Sequence, residues 1–185
     1  MKKLILLVAF ALPVLIFVFL KMFGQNQFAV EPLFQSGAVL VDAECGGPDS
    51  YLSADTQDQG YRTPYVVPRE VLKSLGWNSS DSLTLYTMGQ VNNQLTVAFK
   101  RLSEKYTPEE LRLWQITMDT TNLWENNIVK DVVTLDQLSH CFFLMPDRTN
   151  TVMVDGKGRI RGQYTIDDRK DFDRLVVETR IILKK

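Results

Sequence analysis

Two cysteines, one histidine and six methionines are the soft-donor and redox inventory of this 185-residue chain. Cys45 and Cys141 are the only thiols, and His140 is the only imidazole. A tetrahedral zinc site needs four cysteine or histidine ligands, so the usual structural zinc cannot be built within one chain. A Ser-His-Asp triad would have to use His140. Two uses of sulfur remain open. Cys45 and Cys141 could close a disulfide across about 95 residues, worth several kcal/mol in the loop-entropy account. That needs Cα atoms about 4.4–6.8 Å apart, which sequence cannot supply. The plainer alternative is two unrelated cysteines, one in a loop and one in an apolar run. An alternative metal site would join Cys141 and His140 to Met88 or Met145, a donor set suited to Cu(I). Against it, the methionines read as core fillers. Neighbours on a strand also point to opposite faces, which parts His140 from Cys141.

The elements that must position these residues follow from patterning. TVMVDGKGRIRGQY, 151–164, predicts an antiparallel hairpin about Asp155-Gly156-Lys157-Gly158. Phe172, Leu175, Val176, Thr179 and Ile182 then form one stripe of a closing helix, capped by Asp167 or Thr165. Ser82–Thr87 predicts a strand, and 93–106 an amphipathic helix burying Leu95, Ala98, Phe99 and Leu102. Leu111–Met118 alternates as a strand, completing a right-handed parallel βαβ unit. Asp119–Val133 predicts a helix with Leu123, Trp124, Ile128 and Val129 inward, and Cys141–Leu144 a buried strand. Pro68 opens a short helix over Arg69–Leu75, ended by Gly76, and Tyr65–Val67 reads as an edge strand. The fold class is α/β, thioredoxin-like: a βαβ unit, a hairpin and a closing helix.

Leu4–Leu20 is an uncharged apolar run behind Lys2 and Lys3. It is just long enough to cross a bilayer, and no small-residue cleavage site follows it. The expectation is an uncleaved single-pass anchor with its N-terminus cytoplasmic and the domain outside, in the periplasm of a Gram-negative cell. That compartment permits disulfides. The chain divides into an anchor (1–24), a linker with an irregular extension (25–60) and the folded domain (61–185). A net charge of −1 and a pI near 5.9 offer nothing to nucleic acid. The acids Asp167, Asp168, Asp171 and Asp173 read as a helix start rather than a carboxylate site.

The stretch VMVDGKGRIRGQY…DDRKDFDRLVVETRIIL resembles the end of the SCO/SenC copper-chaperone family, where an LVD-x-x-G-x-IRGYY hairpin precedes an acidic turn and a DRL helix. Asp155, Gly158, Ile160, Arg161, Gly162, Tyr164, Asp173, Arg174 and Leu175 carry the match; FKRLSEKY and WQITMD also resemble their counterparts. The resemblance implies a thioredoxin-like fold, a membrane tether and a partner in the envelope or in a respiratory complex. Family members carry CxxxCP after the first core strand and a histidine before the hairpin. Here Met88 stands at the first cysteine, Asn92 at the second, Asn93 at the proline and Asp147 at the histidine. The expectation is therefore a degenerate copper and redox site: no metal, no cofactor, no catalysis, and an accessory role in cytochrome c oxidase assembly. The alternative is a copper-binding or thiol-redox protein using Cys45 and Cys141.

Overall fold

The computed structural model describes residues 11–18, 29–36, 39–40, 45, 60–61, 63–89, 93–118 and 126–184. β3 (Leu83–Met88) is its centre, and every residue of it is buried. A strand buried on both faces needs apolar or paired side chains on both parities. Leu83 and Leu85 supply one face, Tyr86 and Met88 the other. Thr87 points its hydroxyl at Thr151 across the ladder, 3.0 Å away.

β4 (Leu111–Thr117) pairs parallel with β3, and β6 (Thr151–Asp155) pairs antiparallel on its other side. β5 (Asn127–Val129) adds parallel to β4, and β7 (Ile160–Tyr164) completes the hairpin with β6. The order is β5-β4-β3-β6-β7, with a bulge between Met153 and Val154. With α3 (Asn93–Lys105) crossing from β3 to β4 and α5 (Arg169–Ile182) following β7, this is a thioredoxin-like arrangement. β1 (Val39–Leu40) and β2 (Gly60–Tyr61) form a separate antiparallel pair.

α3 and α5 cover one face of the sheet. α3 buries Leu95, Ala98, Phe99 and Leu102, as its stripe predicts, each large side chain being worth about 2 kcal/mol in removed apolar surface. α5 buries Leu175 and Thr179, with Phe172, Val176 and Ile182 partly covered. Its cap is Asp168, which accepts from the amides of Lys170 and Asp171; neither Thr165 nor Asp167 serves.

The other face departs from the expectations. α2 (Arg69–Ser74) lies there as anticipated, sending Leu72 into the core with Leu75 just beyond it. The predicted helix over Asp119–Val133 is corrected at residues 127–129, which form β5 with Ile128 half-buried and Val129 exposed, while Val132 and Val133 are helical. Residues 119–125, with Leu123 and Trp124, lie outside the described ones. The predicted strand at Cys141–Leu144 is also corrected. α4 (Val132–Asp136), capped by Asp131, runs into a π-helical turn at Gln137–Phe142. Leu135, Leu138 and Cys141 recur every three residues and face inward, a spacing that a short apolar run does not advertise against a strand. The edge strand expected at Tyr65–Val67 is not formed; the Tyr65 amide donates to Phe34 and the Val67 amide to Gly158.

Of the expected anchor, residues 11–18 are described, as the helix α1; the remainder of Leu4–Leu20 lies outside the described residues. Among those residues no helix is long and apolar enough to cross a membrane. Residues 29–36, expected as patternless linker, lie along the hairpin instead. The Leu33 amide donates to Ile160, and the Arg161 guanidinium donates to the Val30 carbonyl.

Candidate functional site

Met88, which the sequence resemblance sets at the first family ligand, is the last residue of β3. Its backbone is spent in the sheet, since its amide donates to Asn150 at 2.7 Å and the Gly89 amide to Ile116 at 3.0 Å. Its side chain is buried in the core among Leu135, Leu138, Phe143 and Met145. The Ser139 hydroxyl oxygen lies 2.9 Å from the Met88 sulfur and 2.8 Å from the Leu135 carbonyl, and its one proton serves either acceptor. The thioether is thus an internal partner of the π-helical turn. Tyr86, two residues earlier, stacks on Phe143 with ring centroids 5.4 Å apart. Burial, and secondarily the charge of Asp81, raises its phenol well above the ordinary tyrosine value, so it stays neutral.

Cys45 and Cys141 are joined. Their Cα atoms lie 5.3 Å apart, and the bridge spans a separation of 96 residues. Cys141 is buried on the inner side of the π-helical turn and Cys45 is half-buried against it. The bond ties the stretch before β2 to the face of the sheet that α4 covers. Sequence could offer this pair only as one option of two, because the tie depends on where the turn sets Cys141.

His140 points outward. Its Nδ1 lies 3.2 Å from the Met145 carbonyl and its Nε2 3.5 Å from Asp136. Asp147 is exposed in the turn after Pro146, where Thr149 donates to the Pro146 carbonyl. Asn92 lies outside the described residues. Met88, Cys141 and His140 therefore share a neighbourhood but not a pocket: one sulfur faces the core, one is in a disulfide, and the imidazole faces water. Copper would need thiolate, thioether or imidazole donors turned to one point. The described donors do not fit it. Among the described residues no group of three or more His, Cys, Asp or Glu is placed to hold a metal ion.

The hairpin that carried the resemblance has identifiable structural work. Asp155 is buried and accepts from the amides of Lys157 and Arg159, closing the turn, while its carboxylate pairs with the Arg159 guanidinium at 2.7 Å. Gly158 sits at φ +81°, where a side chain would also crowd Val66 and Leu72. A Cβ on Gly162 would fall 2.0 Å from the Tyr164 hydroxyl oxygen, which donates to Glu178 at 2.6 Å. Burial, and then the bond to Glu178, raises the Tyr164 phenol well above its ordinary value. Desolvation lowers Arg161, with Asp155 opposing it.

Sequence reasoning passed over Gln163, which stands where the family hairpin has its first tyrosine. Its amide nitrogen donates to the carbonyls of Phe143 and Leu144, at 2.7 and 2.8 Å. Leu144 has φ +51°, an unusual backbone for a branched apolar residue, so Gln163 clamps the strained exit of the π-helical turn. Tyr65 holds the same segment by donating to the Phe142 carbonyl at 2.7 Å. Gln163 occupies a half-buried position of β7 between the buried Gly162 and Tyr164, and nothing in its local pattern signals this role.

No protein-family model matches the chain, and no curated protein matches it. Among solved structures it is similar to BsSco, described as a member of the Sco family of cytochrome c oxidase assembly proteins in which a disulfide switch was identified. The identity is 11%, the TM-score 0.46, and the match covers 86% of this chain and 99% of that one.

Proposed function

We propose that this chain is a membrane-anchored, outward-facing SCO/SenC-like protein with a degenerate copper and redox corner. It acts without catalysis, by binding another envelope or respiratory-complex protein, as an accessory factor in cytochrome c oxidase assembly. The assembly role and the periplasmic placement come from the sequence resemblance and the apolar run at Leu4–Leu20. What supports the degenerate corner is one observation: the Met88 sulfur, at the position of a family ligand, is turned into the core against Ser139. No step through copper follows from these residues.

The test uses the full chain purified in detergent, loaded with Cu(I) and dialysed against a chelator. The expected result is no stoichiometric copper by elemental analysis. A tight one-to-one complex with a thiolate absorption band overturns the reading. In the native host, loss of the chain should lower assembled oxidase, and wild type and Met88→Leu should restore it equally.

A second reading, a thiol-redox protein, is favoured by the bond between Cys45 and Cys141. Exchange would begin with an external thiolate attacking at Cys45, the more accessible partner, and releasing the Cys141 thiolate. Thiol counting under mild reduction separates the two readings. A pair that opens and recloses with a thiol–disulfide buffer supports exchange, and a bridge that opens only on unfolding supports a staple.

A further inference from the structure

The described segment 29–36 is tied to the domain at successive points. The Arg161 guanidinium donates to the Val30 carbonyl. The Leu33 amide donates to the Ile160 carbonyl at 2.8 Å. The Phe34 carbonyl accepts from the Tyr65 amide at 2.9 Å, and the two rings meet edge to face with centroids 6.4 Å apart. β7 is the last strand of its sheet, so the segment covers an edge that would otherwise offer unpaired backbone. Arg161 adds a charge to that cover. Its side chain is only 14% exposed, and Asp155 lies 3.6 Å from it. A guanidinium so enclosed needs its donors answered, and the Val30 carbonyl answers one.

These ties decide how far the domain can stand from its anchor. Val30 is nine residues along the chain from Lys21, which closes the apolar run. Fully extended, that length spans at most about 30 Å. Without the ties, the first described attachment is Val39, paired with Tyr61, and the limit becomes about 60 Å. The sheet order turns reach into orientation. β5 lies four strand spacings, about 19 Å, from β7.

We infer that residues 29–36 are a strap that halves the reach of the tether and makes the β7 edge the membrane-proximal edge of the domain, with β5 distal. The inference rests on the membrane anchor of the proposed function; it does not use the oxidase role, Met88 or the disulfide.

The experiment uses the full chain in lipid nanodiscs that contain a headgroup-labelled acceptor lipid. A donor dye is attached at position 157 or 129 through a click-reactive residue introduced by amber suppression, which leaves the disulfide untouched. Lys157, in the turn into β7, and Val129, on β5, are both exposed. Energy transfer should be greater from 157 than from 129. The double variant Arg161→Met/Leu33→Pro removes the ties at Val30 and Ile160, and should lower transfer from 157; an unchanged value overturns the inference. Ten Gly/Ser residues inserted after Gly24 test the same point without touching the domain. By chain-length scaling they raise the mean tether span about 1.5-fold if it ends at Val30, and about 1.2-fold if it ends at Val39. A loss of transfer matching the larger figure supports the strap, and one matching the smaller figure overturns it. Equal transfer from 157 and 129, in a chain that resists alkaline carbonate extraction, overturns the strap and leaves the anchor standing. A chain that carbonate extracts overturns the anchor, and the inference with it.

Discussion

Both faces of the sheet bury an apolar cluster, and they differ in the long-range ties added to it. On the α3–α5 side, each helix brings a continuous apolar stripe, and the core there is Leu83, Leu85, Phe99, Leu102, Met153, Tyr164 and Leu175. On the α2–α4 side, single polar or covalent ties reach across the chain. Cys45 reaches Cys141, Tyr65 reaches Phe142, Gln163 reaches Phe143 and Leu144, and Arg161 reaches Val30. Stripe packing spreads stability over many contacts of similar size. Ties concentrate it, so the second face, which also packs Leu72, Tyr86, Ile116 and Phe143, should be sensitive at single atoms as well as to volume.

The largest effect expected is from the bridge. Cys45→Ser or Cys141→Ser should cost about 2–5 kcal/mol, since the closed loop is long and the loop-entropy account gives ~4.7 kcal/mol for about 100 residues. Urea unfolding of the full chain, with and without reductant, reads it. An unmoved midpoint would mean that the tie carries no stability and the contrast between the faces collapses.

Gln163→Ala should follow, at about 1–3 kcal/mol, because two carbonyls flanking the positive-φ Leu144 lose their donor. Leu144→Gly in the same background should recover part of that loss by relieving the backbone. Thermal denaturation of both variants decides it. If the glycine gives nothing back, the clamp account is wrong.

On the striped side the comparable perturbation is steric. Gly162→Ala should cost about 1–3 kcal/mol by driving a methyl into the Tyr164 ring. It should also move the Glu178 and Tyr164 signals in NMR spectra while leaving those near Leu144 in place. A shift propagating to Leu144 would show the faces to be coupled through β7.

The smallest effect concerns Asp131. The amide and hydroxyl of Thr134 hold its carboxyl below the ordinary 3.8. A lowered acid favours folding above its unfolded value, and that contribution disappears as pH falls through the folded value. The Thr134 amide shift should therefore titrate with a midpoint below 3.8. A midpoint at or above it would remove the cap from the description of α4.

What could be read from residues alone divides along the same line as the faces. The β3–α3–β4 unit, the 151–164 hairpin and the stripe of α5 were legible, because a helix or strand half-buried against one core writes its period into the sequence. The motif positions Asp155, Gly158 and Gly162 were legible as residues, but their reasons were not. Those reasons are a turn closed by a buried carboxylate, a positive φ and a tyrosine ring lying over a bare backbone. The strand expected at Cys141–Leu144 failed because a short apolar run suits either geometry, and the π-helical turn is chosen by what lies against it.

By itself the sequence determined the repertoire: which residues carry sulfur, which stripes seek a core, and which motif ends the chain. Only the tertiary structure decided that Cys45 meets Cys141, that the Met88 sulfur turns inward to Ser139, and that Arg161 reaches back to Val30. The physical reason is range. Periodicity is set by neighbours three or four residues away, whereas each of these placements depends on groups tens of residues apart, whose meeting is fixed by the packed sheet and not by any local pattern.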